Sequence, residues 1–329
     1  MSIWNKLPDE VKMLKNQIFH EGYKPQFSGH ETFPMRYGWL KKAYDAVNET
    51  DQTKDNRYIF REDDAIARFG VGKNMVASIR HWGAATGVLT EDQRAGIIKT
   101  TKLGQLIFGN KKQPGYDPYL EDPSTLWLLH WQLSSSPQKT TWYWAFNHYP
   151  GLNFDRTQLV DRIFRIAHDS QWKKTSKATI KRDVECFVRS YVPHQISGKK
   201  SLEDTLESPL TELGLIKNVG KRDGFRFVVG SKPTLSDGVF IYALISFWLS
   251  SNYKDLNQLP FDIIARSPGS PGRVFLLDEN DLAERLFRIK EISKGALEWS
   301  ETSGIKGIIK RPNIGYKKNI LDYLALDHN

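Results

Sequence analysis

A single cysteine, Cys186, stands in 329 residues. No internal disulfide can form and no cysteine-based metal site can be assembled, which fits a reducing compartment. A small buried hydrophobe is the physical expectation for Cys186 itself. Long apolar runs are missing too. The longest, Gly238 to Leu249, has about a dozen residues and contains Ser246, against the ~20 a membrane-spanning helix needs. Met1 to Lys15 carries Lys6, Asp9, Glu10 and Lys12, so it lacks the unbroken apolar stretch of a signal peptide. These absences point to a cytoplasmic protein without a membrane partner.

Catalytic signatures are equally scarce. There is no phosphate-binding loop, no dinucleotide-binding glycine pattern, no zinc-binding His-Glu-x-x-His and no nucleophile elbow. Gly70-Val71-Gly72-Lys73 has glycines and a lysine, but it follows a short helix instead of a strand. A metal-dependent nuclease gathers two or three carboxylates on one metal. Pro8-Asp9-Glu10-Val11-Lys12 has the letters of a restriction-type core, yet they are contiguous on an expected helix and cannot converge across a sheet. Asp183 and Glu185 fall on opposite faces of a helix, and Asp278, Glu279 and Asp281 read as helix-start acids favoured by the dipole. No metal ligands are assigned, and no cofactor is expected unless strand cleavage calls for Mg²⁺ or Mn²⁺. His30-Glu31, before the first helix, remains as the only His–carboxylate pair without a bland role. A histidine near its ordinary pKa could serve as general base beside Arg36 as a phosphate ligand, while a turn or cap role for the pair stays open.

What the chain has is positive charge, unevenly spread. Its net charge is +9, with 47 Lys and Arg against 38 Asp and Glu. Residues 171–200 hold eight basic and two acidic side chains, residues 285–318 nine and three. Each segment is +6, so the remainder is 9 − 12 = −3. Concentrated charge suits a polyanion partner, although each segment alone also fits a solvated face. Hydrophobic residues at 40% and charged residues at 26% are an ordinary globular balance.

Breakers at Gly109–Gly115 and Gly230–Pro233 suggest domains over 1–112, 113–230 and 231–329. In the first, periodicity predicts helices over Arg36–Val47, Asp63–Phe69 and Lys73–Ala85, then two short strands around residues 91–94. Helix, short helix, glycine turn, helix, hairpin is the order of a winged helix-turn-helix, whose second helix can enter the major groove. The same order also serves protein-interaction modules. Met75, Val76, Ile79 and Trp82 should face inward, leaving Asn74, Ala77, Ser78 and His81 outward. Lys73, Asn74, Ser78, Arg80 and His81 are the expected DNA contacts there, with Arg36.

The central region repeats a helix pair with a cationic second member, Lys177 to Tyr191 after a Ser176 cap, and a hairpin over 216–229. Trp127, Trp131, Trp142 and Trp144 read as core. The last region shows an apolar helix, a helix capped by Asp278, and strands near 296–299 and 305–309. Lys177, Lys181, Arg182, Lys310 and Arg311 are the expected phosphate contacts. The fold class expected is mainly α with small β-hairpins, as tandem winged helix-turn-helix-like modules.

Longer strings carry a family resemblance. Phe27-Ser28-Gly29-His30-Glu31-Thr32-Phe33-Pro34-Met35-Arg36-Tyr37-Gly38-Trp39-Leu40 is one, and Gly70-Val71-Gly72-Lys73-Asn74-Met75-Val76 through Ile79-Arg80-His81-Trp82 another. With Lys181-Arg182-Asp183-Val184 and Ser208 to Ile216, they resemble the bacterial domain-of-unknown-function family numbered four thousand and seven. The resemblance implies a place beside DNA phosphorothioation genes in phage-defence clusters, with sulfurtransferase-like and ATPase partners. One branch is described as a DNA-nicking component, and no catalytic motif carries over.

Together with that resemblance, the expected function is a DNA-binding component of a phosphorothioate modification system that holds duplex for partner enzymes, with nicking of one strand left open. The alternative is a non-catalytic winged-helix regulator of a defence operon. Basic modules spread along the whole chain favour the first, since a repressor needs one reading head and a dimerisation surface.

Overall fold

The computed structural model describes residues 17–19, 22–61, 64–110, 112–172, 175–193, 207–220, 223–250, 253–302, 304–311 and 321–324. Pro8–Lys12 lies outside them. The chain forms two compact units of non-contiguous segments. One comprises Gln26–Leu133 and Asn153–Arg226; the other comprises Met1–Pro25, Ser134–Leu152 and Phe227–Asn329. Gly109–Gly115 lies inside the first unit. There the chain folds back on itself: Gly109 bridges Pro114, and the N–H groups of Tyr116 and Asp117 donate to the Leu106 and Ile107 carbonyls. The glycine at φ +74 makes this reversal possible.

In the first unit, α1 (Trp39–Asn48) begins after Gly38. That glycine takes φ +76 and breaks the helix predicted from Arg36. A 3-10 turn (Arg57–Phe60) leads to α2 (Asp64–Phe69) and α3 (Lys73–Ala85), which packs on α1. β1 (Leu89–Asp92) and β2 (Ile97–Thr100) form an antiparallel hairpin, and α4 (Lys102–Phe108) follows a Thr101 cap. No third strand joins this hairpin among the described residues. Asn56 takes its place: its buried amide donates to the Ile98 carbonyl and accepts from the Ile98 N–H, both at 2.8 Å. One side chain thereby satisfies a backbone that would otherwise need a strand.

α5 (Pro123–Ser134) ends at the unit border, and α6 (Thr140–Asn147) belongs to the second unit. All four expected core tryptophans on these helices are buried. The first unit resumes with β3 (Asn153–Asp155), α7 (Arg156–Asp169), α8 (Lys177–Tyr191), a 3-10 turn (Pro209–Leu213), β4 (Ile216–Asn218) and β5 (Gly224–Phe227). Asp155 and Ser176 cap α7 and α8, accepting from the backbone N–H of Gln158 and Thr179. The three strands run in the order β3-β5-β4.

The second unit contains α9 (Asp237–Ser250), β6 (Gln258–Pro260), α10 (Phe261–Arg266), α11 (Pro271–Val274), α12 (Glu279–Phe287), α13 (Ile289–Ile292), β7 (Leu297–Thr302) and β8 (Ile305–Lys310). Asp278 caps α12, accepting from the Asp281 N–H at 2.8 Å. The order β6-β8-β7 repeats that of the first unit's sheet: the opening strand pairs with the last, and a hairpin supplies the rest. The fold is therefore mainly α with small antiparallel sheets. Among the described residues, no helix is long and apolar enough to cross a membrane.

Candidate nucleic-acid interface

The string that precedes α1 folds into a tight turn gripped from both sides within the first unit. Glu31 and Thr32 take φ of +46 and +67, consecutive left-handed positions without glycine. Such backbone costs roughly 1–3 kcal/mol per residue and persists only where neighbours impose it. The neighbours are specific. Phe33 N–H donates to the His30 carbonyl at 2.8 Å, and Thr32 N–H donates to His30 Nδ1 at 3.0 Å. From α3, Ser78 Oγ donates to the His30 carbonyl at 2.9 Å and Trp82 Nε1 to the Phe33 carbonyl at 3.0 Å. From α8, Arg189 donates to the Thr32 carbonyl at 3.1 Å. Gly29 is required here, because a Cβ at that position would lie 2.4 Å from His81 Nδ1.

His30 itself is buried, and its Nε2 lies 2.8 Å from Asp183 Oδ1 on α8. Because Nδ1 accepts from Thr32, the proton sits on Nε2 and is donated to the carboxylate. Both ring nitrogens are engaged, so the general-base role expected for His30 is corrected: in this geometry neither nitrogen is available to a substrate. Glu31 points outward from the apex, exposed and separate from this pair. Arg36 is buried as well. Its guanidinium lies over the rings of Phe33 and Trp39 at 5.6 and 5.4 Å, which takes it out of the expected set of surface contacts.

On α3 the expected outward face is partly covered. Ser78 has no exposed surface, since the His30 turn packs over it. Arg80 makes a bidentate pair with Glu91 of β1 at 2.8 Å for both bonds, holding the hairpin to the helix. His81 is half-buried, edge-on to both His30 and Trp82. What remains free is the first turn: Lys73, Asn74 and Ala77 are exposed.

The same holds for α8, where Lys177, Lys181 and Arg182 are exposed along the first two turns. Lys177 also pairs with Asp161 of α7 at 2.6 Å, a surface contact worth little. Asp183, the acid in this cationic run, turns inward. Sequence reasoning missed it as a partner for His30, although a carboxylate on the buried face of a basic helix is a signal that something polar must meet it.

In the second unit the two expected cations are differently occupied. Lys310 lies 4.2 Å from the Trp248 ring centroid and donates to the Lys254 carbonyl at 3.0 Å. Burial pushes its ammonium down to about 8. It is a packed side chain, and this corrects its expected role as a free phosphate contact. Arg311 is exposed and paired with Glu298, which also holds Lys290 at 2.9 Å. Among the described residues, no group of three or more His, Cys, Asp or Glu side chains is placed to hold a metal ion.

A chain with this architecture belongs to a defined family: the protein of unknown function family DUF4007 matches residues 27–324. Among solved structures it is similar to SspB bound to a magnesium ion, with 30% identity and a TM-score of 0.77, covering 96% of this chain and 90% of that one. A second SspB crystal structure is 31% identical over 93% and 89% of the two chains, also at a TM-score of 0.77. No curated protein matches the chain significantly.

Proposed function

We propose that this chain is the DNA-engaging component of a phosphorothioate-based defence system. It holds duplex through winged-helix modules while sulfurtransferase-like and ATPase partners work on the backbone. Its similarity to SspB along nearly the whole chain is the observation that carries the pathway. The modules rest on topology: two sheets share the order in which an opening strand pairs with the closing strand of a hairpin, with helices between.

Within the first unit, α3 and α8 are the reading helices. A winged helix presents the N-terminal residues of its second helix to base edges and its hairpin to phosphates. Lys73 and Asn74 occupy that position on α3, and Lys177, Lys181 and Arg182 on α8. The turn of His30 to Phe33 bonds to both helices and fixes their mutual placement, so one duplex meets two preset cationic ends. His30 and Asp183 are positioning residues in this account.

Nicking of one strand is part of the same proposal only as an activity to be measured. Purified protein is incubated with labelled duplex over a salt series, and separately with supercoiled plasmid with and without Mg²⁺ or Mn²⁺. Salt-dependent duplex binding supports the reading, and open circles would add cleavage to it. An absence of duplex binding at low salt would overturn it.

A further inference from the structure

The β3-β5-β4 sheet of the first unit carries two cations that the reading helices leave unused. Val219 N–H donates to the Gly224 carbonyl at 2.9 Å, closing the hairpin of β4 and β5. Stepping back along both strands from that bond sets Lys217 opposite Arg226. On the other side of β5, Arg226 stands opposite Asn153. Side chains alternate between the two faces of a strand. Phe225 is buried against Phe154, 5.5 Å between ring centroids, and the next residue, Arg226, is exposed on the reverse face. On β4, Lys217 follows the buried Ile216 and is exposed as well. Both cations therefore share the outer face of the sheet, on adjacent strands.

No carboxylate answers them. Among the described residues, no ion pair holds Lys217 or Arg226. The acids closest along these strands are engaged elsewhere. Asp155, opposite Gly224 and diagonal to Arg226, caps α7, its Oδ1 accepting from the Gln158 N–H at 2.7 Å. Asp223, in the turn of the hairpin, pairs with Arg156 of α7. The hairpin β1–β2 of the same unit differs: Lys99 faces Thr90 instead of a second cation, and Glu91 is held by Arg80.

Like charges directly opposite on neighbouring strands repel, their Cβ atoms lying about 4.5–5.5 Å apart. An anion between the two heads turns that repulsion into attraction. The guanidinium fork matches the two non-bridging oxygens of a phosphodiester, and the ammonium adds a point charge. Heads this close converge on one phosphate. The chain order here is strand, two helices, hairpin, so the cations stand on the wing that follows the reading helix α8. We propose that Lys217 and Arg226 form a clamp for a single backbone phosphate of the duplex that α8 engages. This deepens the proposed function, on which it rests, by making the β4–β5 hairpin the wing that grips DNA.

The test measures binding of the full chain to a labelled duplex over a salt series, by fluorescence anisotropy. The variants are Lys217→Gln, Arg226→Gln and the two combined. Both side chains are exposed, so the fold should be kept, checked by thermal unfolding. One lost phosphate contact lowers the magnitude of the slope of log K against log salt by about one. The expected result is that loss in the double variant, with each single variant showing only part of it because the phosphate is shared. A double variant with the wild-type slope overturns the proposal and would leave the outer face to another anion, such as an acidic protein surface. Full, additive losses of about one for each single variant also overturn it, since they mean two separate phosphate contacts. If the wild-type protein binds no duplex at low salt, the proposed function fails and the clamp with it, a result distinct from an unchanged slope in a protein that binds.

Discussion

His30 donates from Nε2 to Asp183 Oδ1 at 2.8 Å across a sequence separation of 153 residues, and both side chains are buried. Among the described residues, the second carboxylate oxygen, Asp183 Oδ2, has no hydrogen-bond partner. The bond to His30 is therefore the main compensation for removing this carboxylate from water. The pair ties the strained turn before α1 to the second cationic helix.

Removing one partner of such a bond leaves a buried polar group unmet. His30→Ala should destabilise the protein by about 3 kcal/mol, since hydrogen bonds to charged groups and their loss cost that order. The double variant His30→Ala, Asp183→Leu should recover part of this loss, because the stranded carboxylate is gone. Urea unfolding of the two variants and the wild type checks this. Equal stability of His30→Ala and wild type would show that the bond contributes nothing.

Ser78 and Asn74 are neighbours on α3 with opposite expected roles. Ser78→Ala removes the bond to the His30 carbonyl and should lower stability by about 1 kcal/mol without altering base preference. Asn74→Ala leaves stability unchanged and should weaken binding to a preferred site by about 1–3 kcal/mol if its amide reads a base. Competition binding on a randomised duplex library, with thermal unfolding alongside, separates them. A reversal of the two phenotypes would contradict the assignment of the helix faces.

His148, at the end of α6, gives the protein an acid limit. Burial, aided by the nearby Arg273 charge, pushes its imidazole from 6.5 down to about 4. Between those values the unfolded chain binds the proton and the folded chain does not, so stability falls as pH drops from about 6.5 toward 4. The full contribution is present above 6.5 and amounts to at most about 3 kcal/mol. His148→Phe keeps the ring packing against Phe19 and Tyr143 and removes the titration. Its unfolding midpoint should change less than that of the wild type between pH 7 and pH 5. Parallel pH profiles for both proteins would refute the assignment.

The sequence disclosed the long amphipathic helices well. Lys177–Tyr191 and Lys73–Ala85 coincide with α8 and α3, because an apolar stripe at helical spacing and a capping Ser176 are local signals. The short strands β3 and β6 were illegible. Three residues carry too little alternation, and only pairing with β5 and β8 defines them. Asn56 standing in for a strand had no local mark at all. The site divided along the same line. Exposure of Lys73, Lys181 and Arg182 follows from helical faces, but the covering of Ser78 and the burial of His30 and Arg36 come from a turn remote in sequence from α8. Lys310 shows the limit of counting charge: it belongs to a basic segment, yet its ammonium sits on Trp248.

In the proposed role, the first turns of α3 and α8 hold duplex DNA by contact with its phosphates. The most direct measurement is the slope of log K against log salt for duplex binding by the wild type, by the single variants Lys181→Gln and Arg182→Gln, and by Lys310→Gln as a control. Each neutralised phosphate contact should lower the magnitude of the slope by about one. That reduction is expected for Lys181→Gln and Arg182→Gln, additive when combined, with an unchanged slope for Lys310→Gln. An unchanged slope in the Lys181, Arg182 double variant, or a reduced one in Lys310→Gln, would place the DNA elsewhere and contradict the account.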